Sequence, residues 1–332
     1  MKIGIAALSV GALFCLGFLL GSFDAGRFAM SSVLPYMALL LFTGGVVYRV
    51  LHWAASPVPF RIPTTCGQQK SLPWIKENSI ENPSTGFGAA VRVALEFFFF
   101  RSLLRNTKAE PGASASKVVF ASALGLWFFA LLFHGCLVVI LLRHLRFFAD
   151  PIPQPILWLS QLDGVFQITV PAFFITGGLF IAAGLYLALR RMFGSRVRYL
   201  SFSSDYFFIF LLLAIGISGV WLRYIAKTDL VAVKTLAMGI VSFAPSAPLN
   251  INGLFFGHFF LVMCLFAMFP WSKLVHGIGL LFSPTRNLRA NSREIRHINP
   301  WNDPSIKPRS YEEYEDEFRD KMKAAGIPLE RE

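Results

Sequence analysis

The chain has 332 residues, of which 55% are apolar and only 15% charged; it carries 35 phenylalanines and a mean hydropathy of +0.56. A soluble domain carries about 25% charged residues, so the composition excludes both an ordinary cytosolic enzyme and a disordered chain. The net charge of +12 would suit a nucleic-acid binder, but the basic residues crowd between long apolar runs, as in a multi-span protein of the lipid bilayer that binds no nucleic acid.

Six runs reach the length of a span: 3–20, 33–48, 118–142, 164–189, 206–222 and 251–280. A bilayer core of about 30 Å takes roughly 20 helical residues, and backbone groups in lipid must bond within their own helix. The predicted fold is therefore an all-α membrane protein of six transmembrane helices, the last four forming a four-helix bundle. Residues 1–51 hold the two N-terminal spans. The first run reads as an uncleaved span and not a secretory signal, because the GSFDAGRF that follows lacks a small-x-small cleavage site. Residues 52–117 form a cytoplasmic or interfacial loop, Pro-rich and irregular in its first half, with a helix expected over 89–106 at the membrane surface. The bundle occupies 118–282. The tail, 283–332, contains one amphipathic helix: Ser310 and Glu313 make a capping box, Gly326 supplies the stop, and Tyr311, Tyr314, Phe318 and Met322 share a stripe. A lone amphipathic helix needs a surface to cover, either this chain's own loop or a separate cytoplasmic subunit.

The Lys/Arg bias orients the spans. With the N-terminus in the cytoplasm, 25 basic residues lie inside and six outside, and both termini are cytoplasmic.

Six histidines are present, at 52, 134, 144, 258, 276 and 297. Ionisable residues within spans are costly and mark function. His134 and His144 belong to the third span, His258 and His276 to the sixth. Eighteen residues make five helical turns, so His258 and His276 are expected on one face, ~27 Å apart; ten residues rise ~15 Å. The two spans run antiparallel, which matches His144 with His258 near the outer surface and His134 with His276 near the inner one. Two such pairs suit two haem b groups, each iron held by imidazole on both sides. Gly135, Gly257 and Gly277 adjoin these histidines and would leave room for a flat ring, while Arg143 and Arg146 flank His144, where haem propionates would need cations. A haem-free membrane anchor and a transporter stay open as alternatives on the histidines alone. His52 and His297 read as solvated. No C-x-x-C-H for covalent haem, Walker loop, dinucleotide fingerprint or nucleophile elbow occurs, and Cys66, a single loop thiol, cannot hold an iron–sulfur cluster.

This spacing of paired histidines, ten and eighteen apart, resembles the cytochrome b (gamma) subunit of respiratory nitrate reductase over roughly 117–282. The added N-terminal spans, the stretch Ile62-Pro63-Thr64-Thr65-Cys66-Gly67-Gln68-Gln69 and the stretch Glu81-Asn82-Pro83-Ser84-Thr85-Gly86 look like the DsrM family, the cytochrome b subunits of DsrMKJOP complexes in sulfur-metabolising prokaryotes; the Hme-type complexes are similar. The resemblance implies a dihaem subunit of the prokaryotic cell (inner) membrane that reacts with menaquinol or menaquinone. It also implies a DsrK-like cytoplasmic iron–sulfur subunit, a quinone-interacting membrane protein, and periplasmic cytochrome c and ferredoxin-like proteins as partners. Nitrate reductase gamma subunits carry a Lys near their quinol site; here that region reads Gln161, Asp163 and Gln167. On the quinone side the expected residues are therefore Gln161, Asp163 and Arg146, the polar groups near the outer ends of the third and fourth spans.

Overall fold

The structure is a computed structural model that describes residues 1–56, 67–105, 107–111, 118–165, 172–246, 250–283, 286–295 and 303–330. His297, Gln167 and Cys66 lie outside the described residues. Six helices are long and apolar enough to cross a membrane. They begin with α1 (Lys2–Leu20). The second span is one continuous rod: α2 (Asp24–Phe28) passes through a π-helical turn at Ala29–Val33 into α3 (Leu34–Ala55). Inside that turn Met30 and Ser31 are fully buried.

The helix expected over 89–106 is in fact two. α4 (Gly86–Phe99) stops at Phe100, whose φ is +50°, and α5 (Arg101–Leu104) restarts the chain. The break has a local cause. Both oxygens of the Glu96 carboxylate accept from the Ser102 backbone N–H at 3.1 Å, and the Ser102 hydroxyl donates to it as well. Glu96 thus supplies the acceptor that the first turn of α5 lacks.

Two apolar runs begin as ribbon and not as helix. β1 (Thr107–Pro111) pairs antiparallel with β2 (Val118–Ser122), and α6 (Leu124–His144) starts only after it. After α7 (Gln154–Asp163), β3 (Gly164–Val165) pairs with β4 (Phe173–Phe174) before α8 (Ile175–Phe193). The run expected as helix over 164–189 therefore loses its first turns to a hairpin, because β-branched and aromatic residues suit a strand as well as a span. α9 (Ser195–Leu200), α10 (Ser203–Tyr224) and α11 (Leu230–Val241) follow. At 12 residues α11 is about 18 Å long and cannot span. It instead buries Val233 and Leu236 in a cluster with Met30, Phe256 and Met263.

The sixth run departs most from expectation. α12 (Gly253–Met268) ends before Pro270, Ser272 sits in extended backbone (φ −109°, ψ 172°), and α13 (His276–Leu281) is a separate short helix. Proline cannot donate the next helical bond, and the Ser272 side chain caps the new start at Leu274 N–H. The five-turn arithmetic between His258 and His276 does not hold.

Neighbouring spans pack in sequence: α6 on α8, α8 on α10, α10 on α12. α1 lies along both α10 and α12, and α3 along α12. Among the described residues α6 and α12, which carry three of the four span histidines, do not pack closely on each other. The α1–α12 seam is tight because glycines replace side chains there. A Cβ on Gly257 would meet Phe14 at 2.8 Å, and one on Gly17 would meet Phe260 at 2.5 Å. Gly257 is therefore a packing glycine and not, as expected, a space beside His258.

The chain divides into two compact units, 1–55 with 94–282, and 56–93 with 283–332. In the second unit the loop and the tail fold together around Arg92, which is 3% exposed. Its guanidinium donates to the carbonyls of Glu81, Arg286 and Leu288. Gln69 and Lys70 reach Ser292 and Glu294 at 3.0 Å. Gly67 takes φ +75°, and a Cβ there would run into Asn78. The tail helix α14 (Tyr311–Ala324) has the expected capping box, and Gly326 the expected positive φ. Its stripe is only partly covered: Met322 is buried, while Tyr311 and Tyr314 are exposed.

Candidate haem sites

At one end of the first unit Lys2, Arg191, Ser201, Asp205 and Lys273 converge. Lys273 pairs with Asp205 at 2.8 Å, Arg191 stands 3.6 Å from it, and Lys2 donates to Ser201 O at 2.9 Å. The start of α1, the end of α8, the start of α10 and the chain just before α13 thus lie together. At the other end the close of α6, the start of α8 and the close of α10 meet around Phe174, as described below.

His134 sits mid-way along α6 and His276 opens α13. Their ring centroids are 5.8 Å apart with planes at 86°. Each ring is fixed through Nδ1, His134 to Ala130 O at 2.7 Å and His276 to Lys273 O at 2.9 Å. A carbonyl accepts only from a protonated Nδ1, so Nε2 is left with a lone pair to offer. Two imidazoles on opposite sides of one first-row metal have ring centres about 6 Å apart, given metal–nitrogen bonds of about 2 Å. A Cβ on Gly135 or on Gly277 would meet nothing within 4 Å, so space is open beside both histidines. The donor chemistry, the separation and the open flanks fit an axially ligated haem. Phe100, set by its left-handed backbone, packs edge-on against His134 at 5.1 Å. Sequence reasoning missed this residue.

His144 closes α6, and its Nδ1 is likewise held by Ile140 O at 2.7 Å. The residue itself is exposed. His258 lies in α12 and is held differently, by the Ser218 hydroxyl of α10 at 2.9 Å. Gly219 beside that serine leaves room for the ring: a Cβ there would stand 3.3 Å from His258 Cε1. Among the described residues no ring contact joins His144 to His258, unlike the inner pair. Again the donors fit haem iron, with Nδ1 engaged and Nε2 free. His52 is exposed and stacked on Tyr48.

Arg143 is buried and stands 2.9 Å from Asp163 Oδ2 through Nε, an ion pair whose angle is off for a hydrogen bond. Asp163 is also buried and accepts from Thr176 twice, from the backbone N–H at 2.9 Å and the hydroxyl at 2.6 Å. α7 thereby caps the start of α8. The Arg143 and Arg223 guanidiniums lie 3.7 and 4.0 Å from the centre of the Phe174 ring. Tyr224 accepts from Phe174 N–H at 2.8 Å and donates to Ala172 O at 3.3 Å. The structure so joins Arg143 to Asp163, leaves Arg146 half-buried within the field of Arg223, and leaves Gln161 exposed. Three guanidiniums and one carboxylate make this end strongly positive.

The profile of the nitrate reductase gamma subunit family matches residues 86–296. The chain is 44% identical over 283 residues to a protein of Archaeoglobus fulgidus named Hdr-like menaquinol oxidoreductase cytochrome b-like subunit, covering 83% of this chain and 84% of that one. A protein of the same name from Archaeoglobus profundus is 41% identical over 279 residues, covering 82% of each.

Proposed function

Since the chain belongs to the nitrate reductase gamma subunit family, we propose that it is a dihaem cytochrome b of a prokaryotic cell-membrane complex. In this reading it passes electrons between menaquinol or menaquinone and a cytoplasmic iron–sulfur subunit. The observation that carries the reading is the 5.8 Å approach of the His134 and His276 rings, from helical segments far apart in sequence, with Nδ1 of each committed to a carbonyl. The names of the relatives, cytochrome b-like and menaquinol oxidoreductase, support it.

Haem b, when bound, would supply one-electron chemistry. His134 and His276 would hold the inner group, His144 and His258 the outer. Backbone carbonyls and Ser218 orient the four rings. Arg146, backed by Arg143 and Arg223, offers the outer carboxylates a positive surface. The Lys/Arg bias supports a cytoplasmic position for both termini and for the end where Lys2 meets Ser201 and Lys273 meets Asp205. The loop 52–117 and the tail would then face a DsrK-like iron–sulfur partner, alongside a quinone-interacting membrane protein and periplasmic cytochrome c and ferredoxin-like subunits. The 62–69 and 81–86 stretches favour a Dsr-type complex of dissimilatory sulfur metabolism.

The test is a set of four single variants. His134→Ala and His276→Ala should remove one b-type spectral component, and His144→Ala and His258→Ala the other, with the spared haem retained in each case. If His134→Ala and His258→Ala removed the same component, the pairing and the antiparallel topology behind it would both be wrong.

A further inference from the structure

The break before α13 leaves a carbonyl without its helical donor. In an unbroken helix Pro270 O would accept from the Leu274 N–H. Here that N–H donates to the Ser272 hydroxyl instead, at 3.1 Å. A side chain from another span takes its place: Arg49 of α3 donates through Nε to Pro270 O at 2.9 Å. A bond from a guanidinium is stronger than the neutral amide bond it replaces. An ionisable side chain committed in this way within a span is costly enough to mark a function.

Arg49 belongs to a line of contacts. α3 packs along α12 and the turn Phe269–Trp271 that follows it. Gly45, Arg49 and Trp53 are spaced four apart and so stand above one another on one face of α3. Gly45 is buried against Pro270, where a Cβ would meet that ring's Cγ at 2.7 Å and its Cβ at 2.8 Å. The Tyr48 ring lies 5.7 Å from Trp271, and the Trp53 ring 6.3 Å from Phe282. These contacts run from Pro270 to Phe282, and His276 falls between them.

We infer that α3 is the strut that fixes His276 for the inner haem, with Arg49 as a positioning residue. The inference rests on the dihaem reading and gives the second span a task within it. His134 lies inside a regular helix of 21 residues, whose own hydrogen bonds hold its place. His276 opens a helix of six residues after a break, and so short a helix does not hold itself. Its direction towards His134 must come from outside α13, and Arg49 supplies a hydrogen bond at the break itself. α3 also lies outside residues 86–296, which match the family profile. The inner site of this chain is thus completed by a span that the matched region does not include.

The test reads the axial ligand directly. The intact complex carrying Arg49→Met, Arg49→Lys, Gly45→Leu or Gly44→Leu would be reduced with dithionite and exposed to carbon monoxide. A haem iron held by two imidazoles has no vacant position for this gas, and one that has lost a ligand does. Arg49→Met keeps an unbranched stem but removes the donor; Gly45→Leu pushes on Pro270. Both should make the component that His276→Ala removes CO-reactive or absent, about half of the b-type absorbance, while the other component stays inert. Arg49→Lys, which can still donate, should match the wild type. So should Gly44→Leu, because a Cβ there meets nothing within 4 Å. Two CO-inert haems in Arg49→Met would overturn the inference. Loss of both haems together in that variant would also overturn it, because α3 would then be a general support for the bundle. Equal CO binding in Arg49→Lys and Arg49→Met would overturn the role given to the hydrogen bond. Absence of b-type absorbance from the wild-type complex would overturn the dihaem reading, and the inference with it.

Discussion

Arg143 and Asp163 show what a residue's neighbours decide that its sequence position does not. Both stood out in the sequence as charges at the ends of spans, one for haem carboxylates and one for quinone. In the structure they are partners in a buried pair that also caps α8 through Thr176. Removing one partner of such a pair strands a buried charge and costs about 3–5 kcal/mol, whereas replacing both with apolar residues is often close to neutral. Arg143→Met and Asp163→Leu alone should therefore each lower thermal stability in detergent more than the double variant does; strictly additive losses would mean that the two are not coupled. The four span histidines were legible because an imidazole in lipid is expensive enough to declare itself. Phe100 and Ser218 were not. A phenylalanine among four in a row and a serine inside a span carry no signal until the fold places one against His134 and the other against His258.

Helices were legible as apolar runs, but their ends and breaks were not. An apolar stretch does not say whether it is span or ribbon, so β2 and the β3–β4 hairpin were absorbed into predicted helices. The break before α13 could have been read from Pro270, yet its consequence could not: with the helix interrupted, His276 reaches His134 by a turn of chain and not by five regular turns. α14 was the most legible element, since its cap, stop and stripe are all local. Its exposed Tyr311 and Tyr314 fit the proposed docking of a soluble subunit. Residues 286–295 must be kept in any test, because Arg92 depends on the carbonyls of Arg286 and Leu288. Truncation after Arg309 should release the iron–sulfur subunit on affinity purification while both haems remain; a complex that survives intact would move the docking surface off α14.

For the whole molecule, composition alone separated a membrane protein from a soluble one, and six spans followed from counting. The contact order of those spans did not. That α1 packs against α10 and α12, and that α6 and α12 stay apart, depends on glycine seams and side-chain volumes visible only when the helices are laid together. The approach of the His134 and His276 rings, from α6 and α13, makes sense as a frame for a planar group. The central claim is accordingly a count. Haem extraction and a reduced-minus-oxidised absorption spectrum on the purified chain should return two low-spin b haems per polypeptide. A haem-free protein would contradict the account outright and leave a membrane anchor in its place.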